Sequence, residues 1–335
     1  MKNLKHLFQW IILACITTMM ACNNEDDGTA VIPDDPTIEA PSKEDFSIMR
    51  EDALNGIRQS ASFNAGEGIS FTSENGVVLN INADCLTLDD DNVTGEVELE
   101  FIELFDRGTM LSTNKPTMGI TPEGGRSLLI SGGEFYINAT QNGQSLELSC
   151  GNMQLIVPAD LSGGADQEMT LWSGIIDDDG NLAWEEDKFE DNPDGVGGDR
   201  LFVEGDQYFA FVGDFGWTNV DRFHSDPRPK TTVQVEVPEG YDAENSAVYL
   251  SYDGEGNALA QLDTYDLNTG IFSEHYGMIP IGLEMHIIFI TEEDGQWKYA
   301  IKGVVVEEDD IYTFTLDETT TGSEQDLNNA INALP

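Results

Sequence analysis

Basic residues are scarce in this chain of 335 residues. There are 15 Lys and Arg against 63 Asp and Glu, which gives a formal net charge of −48. Because nucleic-acid backbones are polyanionic, this imbalance excludes nucleic acid as a partner. Anionic lipid headgroups are repelled for the same reason. Hydrophobic residues still make up 40% of the chain and the mean hydropathy is −0.28, so the composition is that of a folded globular protein.

Long hydrophobic runs and common catalytic signatures are also missing. The apolar stretch from Trp10 to Ala21 is too short to span a bilayer. No Gly-x-Ser-x-Gly elbow and no Gly-x-x-x-x-Gly-Lys-Ser/Thr loop occurs, which disfavours an α/β-hydrolase and a P-loop nucleotide-binding protein. Of the histidines after residue 21, none is paired with another His or a Cys at zinc-site spacing. His286 lies in an apolar strand pattern and is interpreted as a core residue with its hydrogen bonds satisfied.

The N-terminus carries the most specific signal in the chain. Lys2 and Lys5 precede the apolar stretch, which ends at Ala21-Cys22. This pattern resembles the bacterial lipoprotein signal, in which a small residue precedes a cysteine that is diacylated and becomes the new N-terminus. The resemblance implies lipidation at Cys22 and a lipid bilayer as partner, since two acyl chains anchor stably. The alternative is a secretory signal that is cleaved elsewhere and leaves Cys22 as a free thiol.

Residues 23–28 (NNEDDG) follow this cysteine directly. The acidic cluster resembles the surface-export signal of Bacteroidetes lipoproteins, and Asn23 argues against retention at the inner membrane. We therefore expect a protein anchored in the outer membrane and exposed at the cell surface. A solvated acidic tether is the alternative interpretation of the same residues.

Two cysteines remain once Cys15 has left with the signal and Cys22 has been lipidated. Cys85 and Cys150 would lie in an oxidising compartment. They either form one disulfide or are buried separately as small apolar residues.

The pattern along the chain predicts an all-β protein with two antiparallel β-sandwich domains, Ig-like or ZU5-like. In 95–102, Val97, Leu99 and Phe101 alternate with Glu96, Glu98 and Glu100, which is typical of a half-buried antiparallel strand. Short helices are expected at both ends, the first capped by Ser42. The predicted segments are a signal peptide (1–21), an acidic tether (22–42), a helix (43–60), a first sandwich (61–223), a linker (224–230), a second sandwich (231–317) and a C-terminal amphipathic helix (318–335).

Several segments of the first predicted sandwich share a pattern with known proteins. These segments are 76–81 (GVVLNI), 93–101 (VTGEVELEF), 110–112 (MLS), 128–135 (LLISGGEF), 155–158 (LIVP) and 216–223 (GWTNVDRF). They resemble a ZU5-like β-sandwich module of Bacteroidetes envelope lipoproteins. The chain has Ala83-Asp84-Cys85 where that module usually has a Pro-Ala-Gly turn. The resemblance implies a fold, and it brings no established activity to any named residue.

Acidic loops raise the question of a calcium site. Asp177, Asp179 and Asn181 lie in one such loop, but Leu182 and Lys188 stand where an EF-hand requires Gly and Glu. An irregular site of carboxylates and carbonyls remains one interpretation, and calcium is the only cofactor it suggests. Solvated acidic turns are the other.

One segment stands out against the acidic background. Trp217, Asp221, Arg222, Phe223 and Arg228 bring aromatic and basic residues close together in the sequence, and such residues are enriched at recognition surfaces. Packing of a domain junction explains the same composition and is favoured.

The sequence as a whole therefore predicts a lipid-anchored envelope protein that acts as a non-enzymatic binding or interaction module, for a glycan, a peptide or an envelope partner. Two alternatives stay open. One is a secreted carbohydrate-active hydrolase, since paired carboxylates are available throughout the chain. The other is a purely structural envelope component.

Overall fold

The computed structural model describes residues 40–176, 181–187, 200–274 and 276–335. Within these residues the protein is mostly β, so the predicted all-β make-up is confirmed. The helices are α1 (Lys43–Gly56), α2 (Arg107–Ser112) and α3 (Glu324–Asn332), and short 3₁₀ turns cover Ala159–Ser162 and Leu316–Glu318. None of the helices in these ranges is long and apolar enough to cross a membrane.

The strands before residue 224 carry the larger sheets. They are β1 (Gln59–Asn64), β2 (Ile69–Thr72), β3 (Val78–Ile81), β4 (Leu86–Leu88), β5 (Asp91–Asn92), β6 (Glu96–Leu104), β7 (Met118–Ile120), β8 (Arg126–Gln141), β9 (Gln144–Ser145), β10 (Glu147–Leu148), β11 (Met153–Pro158), β12 (Thr170–Ile176), β13 (Leu182–Glu186), β14 (Arg200–Glu204), β15 (Gln207–Val212) and β16 (Gly216–Phe223).

The strands after residue 224 are shorter, apart from one long hairpin. They are β17 (Lys230–Thr231), β18 (Gln234–Glu236), β19 (Ser246–Tyr252), β20 (Ala260–Gln261), β21 (Thr264–Asp266), β22 (Ile271–Ser273), β23 (Ile279–Pro280), β24 (Glu284–Glu293), β25 (Gln296–Val305), β26 (Ile311–Thr313) and β27 (Thr320–Gly322).

The sheets of the first half face each other across a hydrophobic core. An eight-stranded sheet runs β1-β6-β8-β16-β12-β13-β7 with β9 on β8, and a five-stranded sheet runs β14-β15-β11-β3-β2. In β6, Val97, Leu99 and Phe101 are fully buried, whereas Glu96 and Glu98 are exposed. This is the alternation that the period-two pattern predicts. Because β7 also pairs with β8, strands β8, β16, β12, β13 and β7 close a ring.

The second half is built around the β24–β25 hairpin. A five-stranded sheet runs β20-β19-β24-β25-β27, and a four-stranded sheet runs β21-β22-β18-β26. One face of the larger sheet packs Leu250, Ile287 and Phe289 into the main core. The opposite face carries Tyr249, Ile288 and Trp297 into a second core, which also contains side chains of all three helices.

The buried Arg107 ties α2 to the end of α3. Its guanidinium donates to the backbone oxygens of Ile331 (3.1 Å), Leu334 and Pro335 (3.1 Å) and to Ser251 Oγ (2.7 Å). The last carbonyls of a helix lack intrahelical partners and carry partial negative charge, so a cation there is favourable. Arg107 is 2% exposed, and its donors are used by these oxygens.

The main core contains side chains from both of the predicted domains. Residues 39–335 form one compact unit, and buried side chains from before and after residues 224–230 join the same core cluster. The ends of the predicted helices are close to α1 and α3, although α1 stops at Gly56. The finer division into two sandwich domains with a linker at 224–230 stays a prediction.

Candidate functional site

A cleft opens beside α1, and we call it the α1 cleft. Its narrow part has a volume of about 270 Å³ and its wide part about 760 Å³. Both parts are lined by Lys43, Arg50, Asn114, Ala243 and Glu244. Lys115, Phe46 and Glu51 belong to the narrow part, and Asn181, Gln261, Asp263, Thr264 and Tyr265 belong to the wide part.

Helix α1 positions Arg50 over the narrow part. The helix begins after Ser42, whose Oγ accepts a hydrogen bond from the Asp45 backbone N–H at 3.2 Å. One turn later the buried Phe46 packs edge-on against Trp297, with ring centroids 6.2 Å apart. The Arg50 guanidinium lies 4.1 Å from the Phe46 ring centroid, as expected for residues four apart on a helix.

A relay of hydrogen bonds connects Arg50 to the end of α2. Arg50 Nη2 donates to Tyr249 Oη at 3.1 Å, and that hydroxyl donates to Asn114 Oδ1 at 2.5 Å. Asn114 follows α2 with a φ of +54°, a left-handed conformation that asparagine adopts more readily than most residues. Burial raises the pKa of the Tyr249 hydroxyl, so this group stays protonated and keeps donating.

Lys115 occupies the back of the narrow part. Its Nζ lies 5.4 Å from the Trp217 ring centroid, and its only hydrogen bonds to described residues are long ones to the carbonyls of Thr113 (3.4 Å) and Asn114 (3.5 Å). The pKa of Lys115 is lowered to about 8, chiefly by burial; the nearby Glu134 raises it in part, and Arg50 adds a smaller lowering effect. The ammonium is therefore still mostly charged at neutral pH.

Two buried carboxyl groups lie beyond Lys115, where β8 and β16 pair irregularly. The pairing shifts between Asn219 and Asp221, and a Cβ at Gly132 would lie 2.8 Å from the Val220 carbonyl oxygen. Glu134 and Asp221 are 0% exposed. Asn219 Nδ2 donates to Asp221 Oδ2 at 2.6 Å, whereas neither carboxyl oxygen of Glu134 has a hydrogen-bond partner within the described ranges.

Burial shifts the titration of both carboxyl groups in the same direction. It raises the pKa of Glu134 well above its ordinary value, and the nearby Asp221 raises it further. Burial likewise raises the pKa of Asp221, and the hydrogen bond from Asn219 acts in the opposite direction. Both groups therefore favour the neutral form, because a charged carboxylate without solvent is expensive.

The aromatic and basic residues predicted as a binding surface make contacts within the chain. Trp217 and Phe223 pack against a third core cluster formed by Leu129, Trp172, Leu182 and Trp184. The fully buried Asp221 cannot belong to an exposed surface, so the prediction has to be corrected at this position. Arg222 Nε contacts Asp166 at 2.6 Å, and Arg228 contacts Asp226 at 2.5 Å. These contacts are internal to the chain, as the packing interpretation expects.

The remaining predicted site residues divide between described and undescribed parts of the chain. Cys85 and Cys150 form a disulfide, with Cα atoms 5.0 Å apart. Cys22, Asp177 and Asp179 lie outside the described residues, and Asn181 lines the wide part of the α1 cleft. No group of three or more His, Cys, Asp or Glu side chains within the described ranges is placed to hold a metal ion.

His286 has a polar partner, as predicted, although it is not among the buried core residues. Its Nδ1 lies 2.7 Å from Asp253 Oδ1, and its ring is half-buried.

No family model matches this sequence, and no curated protein is significantly similar to it.

Sequence reasoning missed Arg50, Asn114 and Lys115. The only signal available for Arg50 was its spacing of four from Phe46 on the predicted helix. Lys115 follows a helix of six residues, which is too short to produce a periodic pattern. Neither residue stands near the other in the sequence.

Proposed function

We propose that this protein is a lipid-anchored cell-envelope protein that binds a hydroxylated ligand, such as a glycan, in the α1 cleft without transforming it. The volume of the wide part, about 760 Å³, is in the range of small-molecule clefts. Amide and hydroxyl groups of Asn114, Gln261 and Thr264 line it, and such groups form hydrogen bonds with sugar hydroxyls. Tyr265 offers an aromatic face beside them.

The observation that supports the proposal is that carboxyl groups lining the wide part of the cleft already have partners within the chain. Glu244 pairs with Lys43 at 3.1 Å, and Asp263 pairs with Arg126 at 3.4 Å. Asp242 Oδ1 accepts the Glu244 backbone N–H at 2.8 Å. Glycoside hydrolysis needs one carboxyl group as acid and a second as nucleophile or base, both facing the bond. Acids already bound to partners favour binding over hydrolysis.

Tyr265 provides the test of the cleft. Its ring packs 4.8 Å from Phe272, and its hydroxyl donates to the Tyr241 carbonyl at 3.1 Å. The full chain in detergent micelles would be titrated with oligosaccharides chosen from a glycan array. We expect Tyr265→Ala to weaken binding by about tenfold or more, because stacking on a rigid ring is lost.

Tyr312→Ala is the matched control, because Tyr312 is half-buried in the same four-stranded sheet and does not line the cleft. We expect it to leave binding within twofold of the unaltered chain. Cleavage of any bound oligosaccharide would favour the hydrolase instead. The absence of binding to every glycan on the array would contradict the proposal and favour the structural role.

The anchor is tested separately from the cleft. Metabolic labelling with palmitate is expected to mark the chain and to be lost in Cys22→Ser, which should also leave the membrane fraction. Surface exposure is read from proteinase treatment of intact cells. A labelled Cys22→Ser chain would contradict the anchor and leave the binding proposal untouched.

A further inference from the structure

The basic residues of this chain differ in how their charges are balanced. Most of those in the described ranges lie within 4.0 Å of a carboxylate oxygen; these are Lys43, Arg58, Arg126, Arg222, Arg228, Lys230, Lys298 and Lys302. Arg107 instead uses its donors on the oxygens at the end of α3 and on Ser251. Arg50 and Lys115 have no such carboxylate among the described residues, and both line the narrow part of the α1 cleft.

Donor groups of both side chains remain unused. Arg50 Nη2 is bonded to Tyr249, but its Nε is buried and has no hydrogen-bond partner in the part of the chain that the structure describes. Among the described residues, Lys115 has the two long hydrogen bonds to carbonyls and the Trp217 ring as its partners. Removing a cation from water without pairing it costs free energy. In a chain with 63 acidic residues, two such cations facing one cleft indicate that the missing anion comes from outside.

The other charges around the narrow part limit what that anion can be. Glu244 is engaged by Lys43, and the exposed Glu51 lines the same part of the cleft. Glu134 lies beyond Lys115 and raises the pKa of the lysine, but neither of its carboxyl oxygens has a hydrogen-bond partner among the described residues. The formal net charge of −48 repels a polyanion. A ligand with one negative group on an otherwise neutral molecule is compatible with the charges around the narrow part and with the net charge of the protein.

We infer that Arg50 and Lys115 hold a single carboxylate of the bound ligand in the narrow part of the α1 cleft, which makes the ligand an acidic sugar; this inference rests on the proposed function. The planar guanidinium can meet a carboxylate with two parallel hydrogen bonds. Lys115 adds a point charge from the back of the cleft. The hydroxylated body of the ligand then extends past Asn114 into the wide part.

Calorimetric titration of the full chain in micelles tests the carboxylate directly. The probes are a disaccharide ending in D-glucuronate, the methyl ester of the same disaccharide, and acetate. The ester keeps the shape of the sugar and removes its charge. We expect the uronate to bind at least tenfold more tightly than the ester. Arg50→Gln should reduce uronate binding to the level of the ester, and Arg50→Lys should restore part of the difference.

Arg58→Gln is the matched control, because Arg58 follows α1 and is paired with Glu100 at 2.9 Å. It should leave the preference for the uronate unchanged. Circular dichroism melting of each variant checks that Arg50→Gln remains folded.

The possible outcomes of the titration distinguish the carboxylate site from the proposed glycan binding. Equal binding of uronate and ester would overturn the carboxylate site and leave glycan binding standing. Acetate binding that depends on Arg50, without binding of either sugar, would support the carboxylate site and overturn the glycan. No binding of any probe would overturn both.

Discussion

In segment 222–230 the basic side chains contact carboxylates, whereas in the narrow part of the α1 cleft neither Arg50 nor Lys115 does so among the described residues. Arg222 contacts Asp166 at 2.6 Å, the Asp226 carboxylate accepts a hydrogen bond from Arg228 at 2.5 Å, and Lys230 Nζ lies 3.8 Å from the same carboxylate. The bond from Arg228 holds the pKa of Asp226 well below its ordinary value. The cations of the cleft are held by rings and neutral oxygens instead.

The difference shows why composition alone is a poor guide to a binding surface. Segment 222–230 concentrates basic and aromatic residues in the sequence, yet its charges are balanced within the fold. The cleft collects its two cations from residues 50 and 115, which are far apart in the chain. What distinguishes a candidate site is an unbalanced charge in an enclosed space, and balance is visible only in three dimensions.

The largest expected effect concerns the ring that supports Lys115. The Trp217 ring lies 5.3 Å from Tyr136 and 6.4 Å from Trp184 between centroids. We expect Trp217→Ala to lower the free energy of unfolding by roughly 3 kcal/mol, because a large ring is lost from a packed cluster. Denaturant unfolding measures this change. Phe202→Ala is the control, since Phe202 is 52% exposed, and a loss of the same size there would contradict the special role of Trp217.

The second effect concerns the acids behind Lys115. The pKa of Glu134 is raised from its ordinary value of 4.5, so its stabilising effect is complete below that value and is lost as the pH rises through the folded-state pKa. Between those limits one carboxyl group changes the free energy of unfolding by about 1.4 kcal/mol per pH unit. We expect Glu134→Gln to remove this dependence and to gain stability over the unaltered chain as the pH rises.

Unfolding of both chains at several pH values gives the measurement for Glu134. Glu96→Gln serves as control, because Glu96 is exposed at the start of β6. It should keep the slope of the unaltered chain. Identical slopes for Glu134→Gln and Glu96→Gln would mean that burial does not hold Glu134 in its neutral form.

Features that depend on contacts between residues close together in the sequence could be predicted from it, whereas features that depend on contacts between distant residues could not. Alternation in β6 and the Ser42 cap of α1 are local, and the pattern predicts both. The burial of Glu134 is not local, because a glutamate in a strand pattern is normally assigned to the solvent face. It follows from the irregular pairing of β8 with β16, which brings together residues about 90 positions apart.

The site itself was beyond sequence reasoning for the same reason. Arg50 reaches Tyr249 across 199 positions, and Tyr249 reaches Asn114 across 135. Each residue taken alone has an ordinary structural explanation. Only the packing of α1 on the outer face of the β19–β24–β25 sheet places the two cations on one cleft.

The smallest expected effect concerns Arg228, in segment 222–230. Arg228 is partly exposed, and its pair with Asp226 is accessible to salt, so Arg228→Gln should lower the free energy of unfolding by only about 0.5 kcal/mol. The loss should be present above the ordinary pKa of an aspartate and fade as the pH falls through the lowered pKa of Asp226. Urea unfolding at low and high salt measures it, and binding in the α1 cleft should not change. Suppose instead that Arg228→Gln abolished that binding and Arg50→Gln did not. Arg50 and Lys115 would then have a structural role, and segment 222–230 would be the recognition surface.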